Sequence, residues 1–150
     1  MPTNRVIFFS LLILSMLFIA SCSLTNTSTE SQSATADIFS LPKNVEGYID
    51  ISVDQLKSSL ASKDFTLINV HIPYEGELPQ TDSFIPYNES EANLGQLPAD
   101  KNTRIVLYCR SGRMSTEAAQ TLINLGYTNV AEVDGGMHAW QAAGNELISK

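Results

Sequence analysis

The chain has 150 residues, with nine Lys and Arg against sixteen Asp and Glu and a formal net charge of −7. A nucleic-acid-binding protein needs a basic face, and this acidic balance therefore excludes nucleic acid as an expected partner. The length allows one domain of ordinary size, because the N-terminal segments described next do not have the composition of a fold.

The first 21 residues are predicted to form a lipoprotein signal peptide. Arg5 precedes an apolar run over residues 6–20, which is short for a bilayer span and suited to the core of an export signal. The run ends in IASC, which resembles the bacterial lipobox, and this resemblance implies lipidation of Cys22. We then expect an exported protein, lipid-anchored to the periplasmic or cell-surface side of a bacterial membrane. An ordinary cleaved signal or an uncleaved anchor is the alternative.

Residues 22–44 are predicted to be a lipidated, flexible tether. This segment is rich in Ser, Thr, Asn and Ala and has few large apolar residues. Such a composition buries too little surface to offset the entropy lost on ordering. The folded domain is therefore assigned to residues 45–150.

The domain begins with a predicted strand at residues 48–51, followed by a helix in SVDQLKSSLAS. Ser52 is the expected N-cap of this helix, and Gln55 completes a capping box. The next β-rich run, at residues 66–70, is short and bounded by polar residues. It is typical of a central strand.

Residues 71–90 are predicted to be a loop because four prolines and glycines interrupt them, with a small edge strand at residues 84 and 85. The run RIVLY at residues 104–108 is almost entirely apolar, which predicts a strand covered on both faces.

The last third of the chain alternates helix, strand and helix. A helix is predicted over residues 115–125 with Gly126 after its end, then a strand over residues 129–133 and a final helix closed by Gly144. Strands that alternate with helices predict an α/β domain with a mainly parallel central sheet and helices on both faces. In such sheets, functional sites lie at the carboxyl ends of the strands.

Cys109 follows the strand at residues 104–108 and is the only thiol expected in the folded domain if Cys22 carries lipid. An unpaired thiol in an exported protein is a candidate nucleophile. Two alternatives are a disulfide to an unlipidated Cys22 and a buried cysteine that packs as a small hydrophobic side chain.

The segment CRSGRM, at residues 109–114, joins this strand to the following helix. A tight turn into a helix leaves backbone N–H groups free to converge on the Cys109 sulfur. These donors, the helix dipole and the guanidinium groups of Arg110 and Arg113 favour a thiolate. Gly112 permits the close turn that this arrangement needs.

Residues 108–144 resemble the second half of a rhodanese domain, the sulfurtransferase module. The active-site loop of that family opens with cysteine in the pattern C-x-x-G, and a later GG turn precedes a helix that bears a tryptophan, here Trp140. Upstream, LINVHIPYE is similar to the family pattern LIDVRxPxE. The resemblance extends over residues 48–144 and implies the rhodanese-like fold.

This resemblance implies that Cys109 takes sulfur from thiosulfate or a similar small anionic donor, becomes a persulfide and passes the outer sulfur to an external thiol or cyanide. A protein acceptor is also compatible with it. The chemistry requires no metal or organic cofactor, and we expect a monomer. The residues expected to bind the donor, with His71 from the preceding loop, are Arg110, Ser111, Gly112, Arg113 and Met114.

Two other functions compete with this hypothesis. A cysteine phosphatase or arsenate reductase needs a larger cup with arginine in the sixth position after the cysteine, and Ser115 stands there. A rhodanese-like module could also bind a partner or carry sulfur without turnover. Retention of the cysteine, both arginines and the glycine favours catalysis over binding alone.

The chain departs from the family pattern upstream of the cysteine. NVH replaces DVR, and residues 76–89 have no clear counterpart. His71 is either a proton donor or anion contact, or a packing residue. Glu75 is interpreted as a structural residue that caps nearby backbone, and His138 and Trp140 are also interpreted as structural.

Overall fold

The computed structural model describes residues 37–149, so the predicted signal peptide, Cys22 and the tether up to residue 36 lie outside the described residues. Within residues 37–149, no helix is long and apolar enough to cross a membrane. The strands are β1 (Ile49–Ile51), β2 (Thr66–Asn69), β3 (Ser83–Phe84), β4 (Ile105–Tyr108) and β5 (Val130–Val133). The α-helices are α1 (Val53–Ser59), α2 (Arg113–Asn124) and α3 (Gly136–Ala142).

The five strands form one sheet in the order β1-β5-β4-β2-β3, and every pair of neighbouring strands is parallel. Strands β4 and β5 are buried at each position, as expected for parallel strands covered on both faces. The prediction of a parallel α/β sheet is confirmed. The edge strand β3 starts one residue earlier than predicted, because it pairs with β2 through Ser83 and Phe84.

Helices cover both faces of this sheet. On one face α1 and α3 pack through Leu56 and Trp140 against alternate side chains of the strands, and on the other face α2 packs through Leu122. Burying side chains of this size contributes roughly 1.5–3 kcal/mol each. Trp140 lies in the core, as predicted.

Helix α1 begins as its sequence predicts. The Ser52 hydroxyl accepts the Gln55 backbone N–H at 3.2 Å, and the Gln55 side chain accepts the Ser52 backbone N–H at 2.7 Å. This reciprocal capping satisfies two N–H groups that a helix otherwise leaves without partners. The α-helix ends at Ser59, and a 3-10 turn at Leu60–Ser62 continues the predicted segment.

Helix α2 begins at Arg113, two residues before the predicted start at Ser115. Gly112 adopts a φ of +100°, which turns the chain directly into the helix, and its carbonyl accepts the Thr116 N–H at 2.9 Å. Arg113 and Met114 therefore belong to the first helical turn rather than to the loop. The start of α2 is set by the backbone conformation of Gly112, which helix propensity does not predict.

Ordered chain precedes residue 45, where the sequence placed the start of the domain. A 3-10 turn at Ile38–Ser40 places Ile38 in the core beneath α1, and Lys43 Nζ donates to the Thr128 carbonyl at 2.6 Å. The last eight residues of the predicted tether, 37–44, thus pack on the domain. Their few apolar side chains are sufficient because the sheet offers a preformed surface for them.

Candidate active site

Cys109 directly follows the central strand β4 and opens a short turn, residues 109–112, which we call the cysteine loop. The Gly112 N–H donates to Cys109 Sγ at 3.1 Å. Because Gly112 stands immediately before α2, this donor is aligned with the N-terminal end of the helix. The sequence predicts that several backbone N–H groups converge on the sulfur, and the structure shows this contact from Gly112.

Helix α3 fixes the other side of the cysteine loop. The Met137 and His138 N–H groups donate to the carbonyls of Cys109 and Arg110, each at 2.9 Å. A Cβ on Gly136 would lie 2.1 Å from the Cys109 carbonyl oxygen, so only glycine allows this approach. The GG turn therefore serves the site through its backbone, and the His138 side chain is exposed.

A buried hydroxyl and a buried carboxyl lie behind the sulfur. Ser115 Oγ is 3.5 Å from Cys109 Sγ and 2.7 Å from Glu132 Oε2. Glu132 is only 4% exposed, and this burial raises its pKa to about 7, with Asp50 and Asp134 adding to the rise and the hydrogen bond from Ser115 opposing it. Within residues 37–149 no ion pair involves Glu132.

Sequence reasoning missed Glu132, although a signal was present. The residue stands inside the run NVAEV, which was predicted to be a strand of a sheet with helices on both faces. A carboxyl in a strand covered on both faces needs a hydrogen-bond partner or a proton, because burying an unpaired charge is costly. This requirement identifies Glu132 as a candidate site residue from the sequence.

The two arginines of the motif point to carboxylates rather than to the sulfur. Arg110 Nη1 donates to Glu75 Oε1 at 2.9 Å, and Arg113 Nη1 donates to Glu117 Oε1 at 2.5 Å. Their side chains are 48% and 62% exposed. Both guanidinium groups therefore lie at the solvent-exposed rim of the site, where ions paired with them are screened.

Glu75 was predicted to cap backbone, and the structure corrects this assignment. Its carboxylate contacts two side chains, Arg110 and His71, with Glu75 Oε2 3.5 Å from His71 Nε2. His71 is buried, and its Nδ1 lies 3.3 Å from Met114 Sδ. The structure thus brings His71 and Met114 together beside the cysteine loop, while Ser111 is exposed on it.

Asn69 explains the departure from the family pattern at the end of β2. Its Nδ2 donates to the Gly76 carbonyl at 3.0 Å, and its Oδ1 accepts the His71 N–H at 2.9 Å. An aspartate could accept the second bond but could not donate the first. The amide therefore suits the way residues 71–90 fold back over β2.

Tyr108, the residue before the cysteine, also holds residues 71–90 in place. Its buried hydroxyl accepts the Leu78 N–H at 3.0 Å and lies 2.7 Å from Thr81 Oγ1. Burial raises the pKa of Tyr108 to about 12, so the hydroxyl stays neutral. Neither Tyr108 nor Asn69 was assigned this role from the sequence, because the partners of Tyr108 lie 27 and 30 residues away along the chain and the contact of Asn69 with Gly76 depends on how the residues between them fold.

The thiol itself is covered. Cys109 is 1% exposed and packs among side chains of the α2 face of the sheet. A donor molecule therefore reaches Sγ only when neighbouring side chains move. The arrangement can hold a sulfur anion by two hydrogen bonds, from a backbone N–H and a hydroxyl, and can hold one proton on a nearby carboxyl. Among residues 37–149, no group of three or more His, Cys, Asp or Glu could hold a metal ion.

Comparison with known proteins identifies the family of this chain. The profile of the rhodanese-like domain matches residues 52–143, more than half of the chain. The chain belongs to the rhodanese-like domain family. A sulfurtransferase of Allochromatium vinosum is 29% identical over 104 residues, which cover 67% of this chain and 94% of that protein. The thiosulfate sulfurtransferase PspE of Escherichia coli is 34% identical over 70 residues, covering 45% of this chain and 67% of PspE.

Solved structures agree on the fold. A rhodanese-like domain protein from Staphylococcus aureus has 31% sequence identity and a TM-score of 0.56, with 67% of this chain and 98% of that chain covered. A protein from Rhodopseudomonas palustris described as a possible tyrosine phosphatase is also similar, at 22% identity and a TM-score of 0.56, with 67% of this chain and 84% of that chain covered. At that identity the second likeness shows the fold alone. The sixth position after the cysteine is occupied by Ser115, whose hydroxyl oxygen also lies 2.8 Å from the Gly112 carbonyl oxygen.

Proposed function

We propose that this rhodanese-like domain is a sulfurtransferase that works through a persulfide on Cys109, with thiosulfate or another sulfane-sulfur compound as donor. The thiolate attacks the outer sulfur of the donor, sulfite leaves from thiosulfate, and the persulfide then loses its outer sulfur to a thiol or cyanide. This is double-displacement catalysis, in which a covalent intermediate divides one transfer into two.

The hydrogen bond from the Gly112 N–H to Cys109 Sγ carries the proposal. A donor fixed at Sγ stabilises the thiolate before it attacks and again when the persulfide has lost its outer sulfur, without reorganisation at the moment of transfer. Named sulfurtransferases among the relatives support the same chemistry. Arg110 and Arg113 at the rim attract an anionic donor into an otherwise acidic surface.

Intact-mass measurement of the full chain, purified in detergent and treated with thiosulfate, tests the proposal. We expect the mass to rise by one sulfur atom and to return when cyanide or a thiol is added. Cys109→Ser removes the acceptor sulfur and serves as the matched control. An unmodified wild-type protein after both thiosulfate and polysulfide treatment would contradict the proposal, as would activity in Cys109→Ser.

The burial of Cys109 favours a second candidate, a sulfur carrier that receives and holds one sulfur without steady turnover. A thiol that is 1% exposed limits the rate at which donor and acceptor reach it. The two functions differ in the product formed per protein. Thiocyanate accumulation beyond one equivalent supports the enzyme, and a single stoichiometric transfer supports the carrier.

We also propose that the domain is held at a membrane by lipid on Cys22, on the side to which the protein is exported. The lipobox-like IASC sequence supports this anchor. Metabolic labelling with a fatty acid should mark the wild-type protein and leave Cys22→Ala unlabelled. Equal labelling of both proteins, or of neither, would contradict lipidation at Cys22.

A further inference from the structure

The hydroxyl of Ser115 has one proton and three acceptors within reach. Ser115 Oγ lies 2.8 Å from the Gly112 carbonyl, 2.7 Å from Glu132 Oε2 and 3.5 Å from Cys109 Sγ. A serine hydroxyl can donate only one of these bonds at a time, although it can accept others. Whether it donates to the sulfur therefore depends on the protonation of Glu132.

An ionised Glu132 only accepts hydrogen bonds and so takes the Ser115 proton for itself. A protonated Glu132 has an O–H that donates to Ser115 Oγ, and the Ser115 proton is then free to point at the Gly112 carbonyl or at the sulfur, of which a sulfur anion attracts it more strongly. Ser115 is fully buried, and Glu132 is 4% exposed. Solvent therefore does not compete for these bonds.

The surroundings of Glu132 oppose a second negative charge. Asp50 lies opposite Glu132 in the register of β1 and β5, and Asp134 directly follows the end of β5. From α2 the facing group is the Ser115 hydroxyl, and from β4 it is the Cys109 thiol through that hydroxyl. Within residues 37–149, no Lys, Arg or His forms an ion pair with Glu132.

We propose that Glu132 holds the proton of the Cys109 thiol, passed through Ser115, for as long as Cys109 carries the persulfide. The buried pair then keeps a single negative charge throughout the cycle. Because Glu132 acts through Ser115, it is a positioning residue rather than a catalytic one. The inference adds to the proposed function a role for a residue outside the cysteine loop.

The loading step balances on this scheme. The thiol proton moves to Ser115 Oγ, and the Ser115 proton moves to Glu132 Oε2. The resulting thiolate forms an S–S bond with the outer sulfur of thiosulfate. At the same time the sulfur–sulfur bond of the donor breaks, and sulfite leaves with its electron pair. The products are a persulfide anion, a carboxylic acid and sulfite. The total charge of protein and donor is unchanged.

Discharge reverses the proton path. Cyanide bonds to the outer sulfur and leaves as thiocyanate, the S–S bond breaks, and its electron pair stays on Cys109 Sγ. The Glu132 proton then returns through Ser115 to the thiolate. The resting pair of a thiol and a carboxylate is restored, and the cycle needs no exchange of a proton with solvent.

Difference infrared spectroscopy detects the carboxylic acid directly. The full chain in detergent is loaded with polysulfide at about pH 8, above the titration of Glu132, and loading is verified by intact mass. We expect a carboxylic-acid carbonyl band to appear on loading in the wild type and to be absent from Glu132→Gln. Loaded wild-type protein without this band overturns the proposal. A band of full intensity in loaded Ser115→Ala overturns the path through Ser115.

A second measurement does not depend on sulfur transfer, although the inference rests on the proposed function. Cys109→Asp places a carboxylate beside Ser115, whereas Cys109→Ser does not. Infrared spectra of both variants are recorded across a pH titration. The Glu132 signal is isolated by subtracting the spectra of the same variants that also carry Glu132→Gln. We expect Glu132 to titrate about one pH unit or more higher in Cys109→Asp, because nearby like charges resist joint ionisation. Equal midpoints overturn the proposal. A higher midpoint together with a wild type that never loads sulfur removes the proposed function alone.

Discussion

Two segments follow neighbouring strands at the same edge of the sheet, and they are held in different ways. The cysteine loop after β4 is four residues long, and the backbone of α3 and Gly112 fixes it. The 71–90 segment after β2 is five times as long, and side chains of Asn69 and Tyr108 fix it. The first matches the family pattern, and the second is where this chain differs from it. Backbone contacts thus fix the segment that carries the cysteine, while side-chain contacts fix the segment that departs from the pattern.

The largest effect is expected from breaking the backbone contact of the cysteine loop. Gly136→Ala places a Cβ 2.1 Å from the Cys109 carbonyl oxygen at a φ of +52°. We expect a loss of about 3 kcal/mol or more in the free energy of unfolding, together with loss of persulfide formation. Gly144→Ala is the matched control, because Gly144 has a φ of +78° and no atom within 4 Å of the added Cβ. Urea unfolding of the two variants measures the difference, and equal losses would contradict the steric argument.

The buried acid behind the cysteine loop gives the next largest effect, and it depends on pH. Unfolding returns the pKa of Glu132 from about 7 to its ordinary value of 4.5, so the folded state holds more protons between these values and its stability falls as pH rises through them. We expect Glu132→Gln to be more stable than the wild type by up to about 3 kcal/mol at about pH 8 and similar to it at about pH 5. Urea unfolding at both pH values measures this. A constant difference between them would contradict the assignment.

The 71–90 segment is tested by Tyr108→Phe, which removes the acceptor of the buried Leu78 N–H. We expect a loss of about 1–3 kcal/mol, because a buried donor is left without this partner. Amide hydrogen exchange should quicken in residues 76–82 and stay unchanged in α2. Tyr127→Phe, which removes a hydroxyl bonded to the Pro98 carbonyl, is the control and should leave the 71–90 segment unaffected. Faster exchange throughout the domain would show that the two segments are not held separately.

The smallest effect is expected at Glu75, which joins the two segments through Arg110 and His71. Glu75→Gln leaves Arg110 without its carboxylate and should lower the KM for an anionic donor by at most about fivefold, since exposed ion pairs contribute up to about 1 kcal/mol. Steady-state kinetics with thiosulfate measures this, with Glu117→Gln as the comparison at Arg113. A higher KM in Glu75→Gln would indicate that the carboxylate positions Arg110 rather than neutralises it.

Local patterns predicted much of this molecule. The capping box of α1, the apolar strands β4 and β5 and the strand–turn–helix around Cys109 each depend on residues close together in the chain, and each is present. The start of α2 differed because it depends on the φ of Gly112 rather than on helix propensity. Sequence patterns predict helices and strands well from propensity and periodicity, and they predict the backbone conformation of a single residue poorly.

The remaining differences have a common physical cause. The partners of Tyr108 and Glu132 lie 30 and 17 residues away along the chain, and Asn69 reaches Gly76 only through the conformation of the loop between them. Arg110 and Arg113 were assigned to the sulfur because they adjoin it in sequence, yet each pairs with a carboxylate at the rim. Proximity in sequence places a residue on the loop, and only the fold determines the direction of its side chain.

The contact of α3 with the cysteine loop also limits how this chemistry could be moved to another protein. The carbonyls of Cys109 and Arg110 are held by N–H groups of residues 137 and 138, which stand more than two dozen positions later in the chain. A hexapeptide CRSGRM inserted at some other strand–helix junction would lack these partners and the glycine that lets them approach. A designer who wishes to transplant the cysteine loop must therefore carry over the second strand–helix junction together with the first.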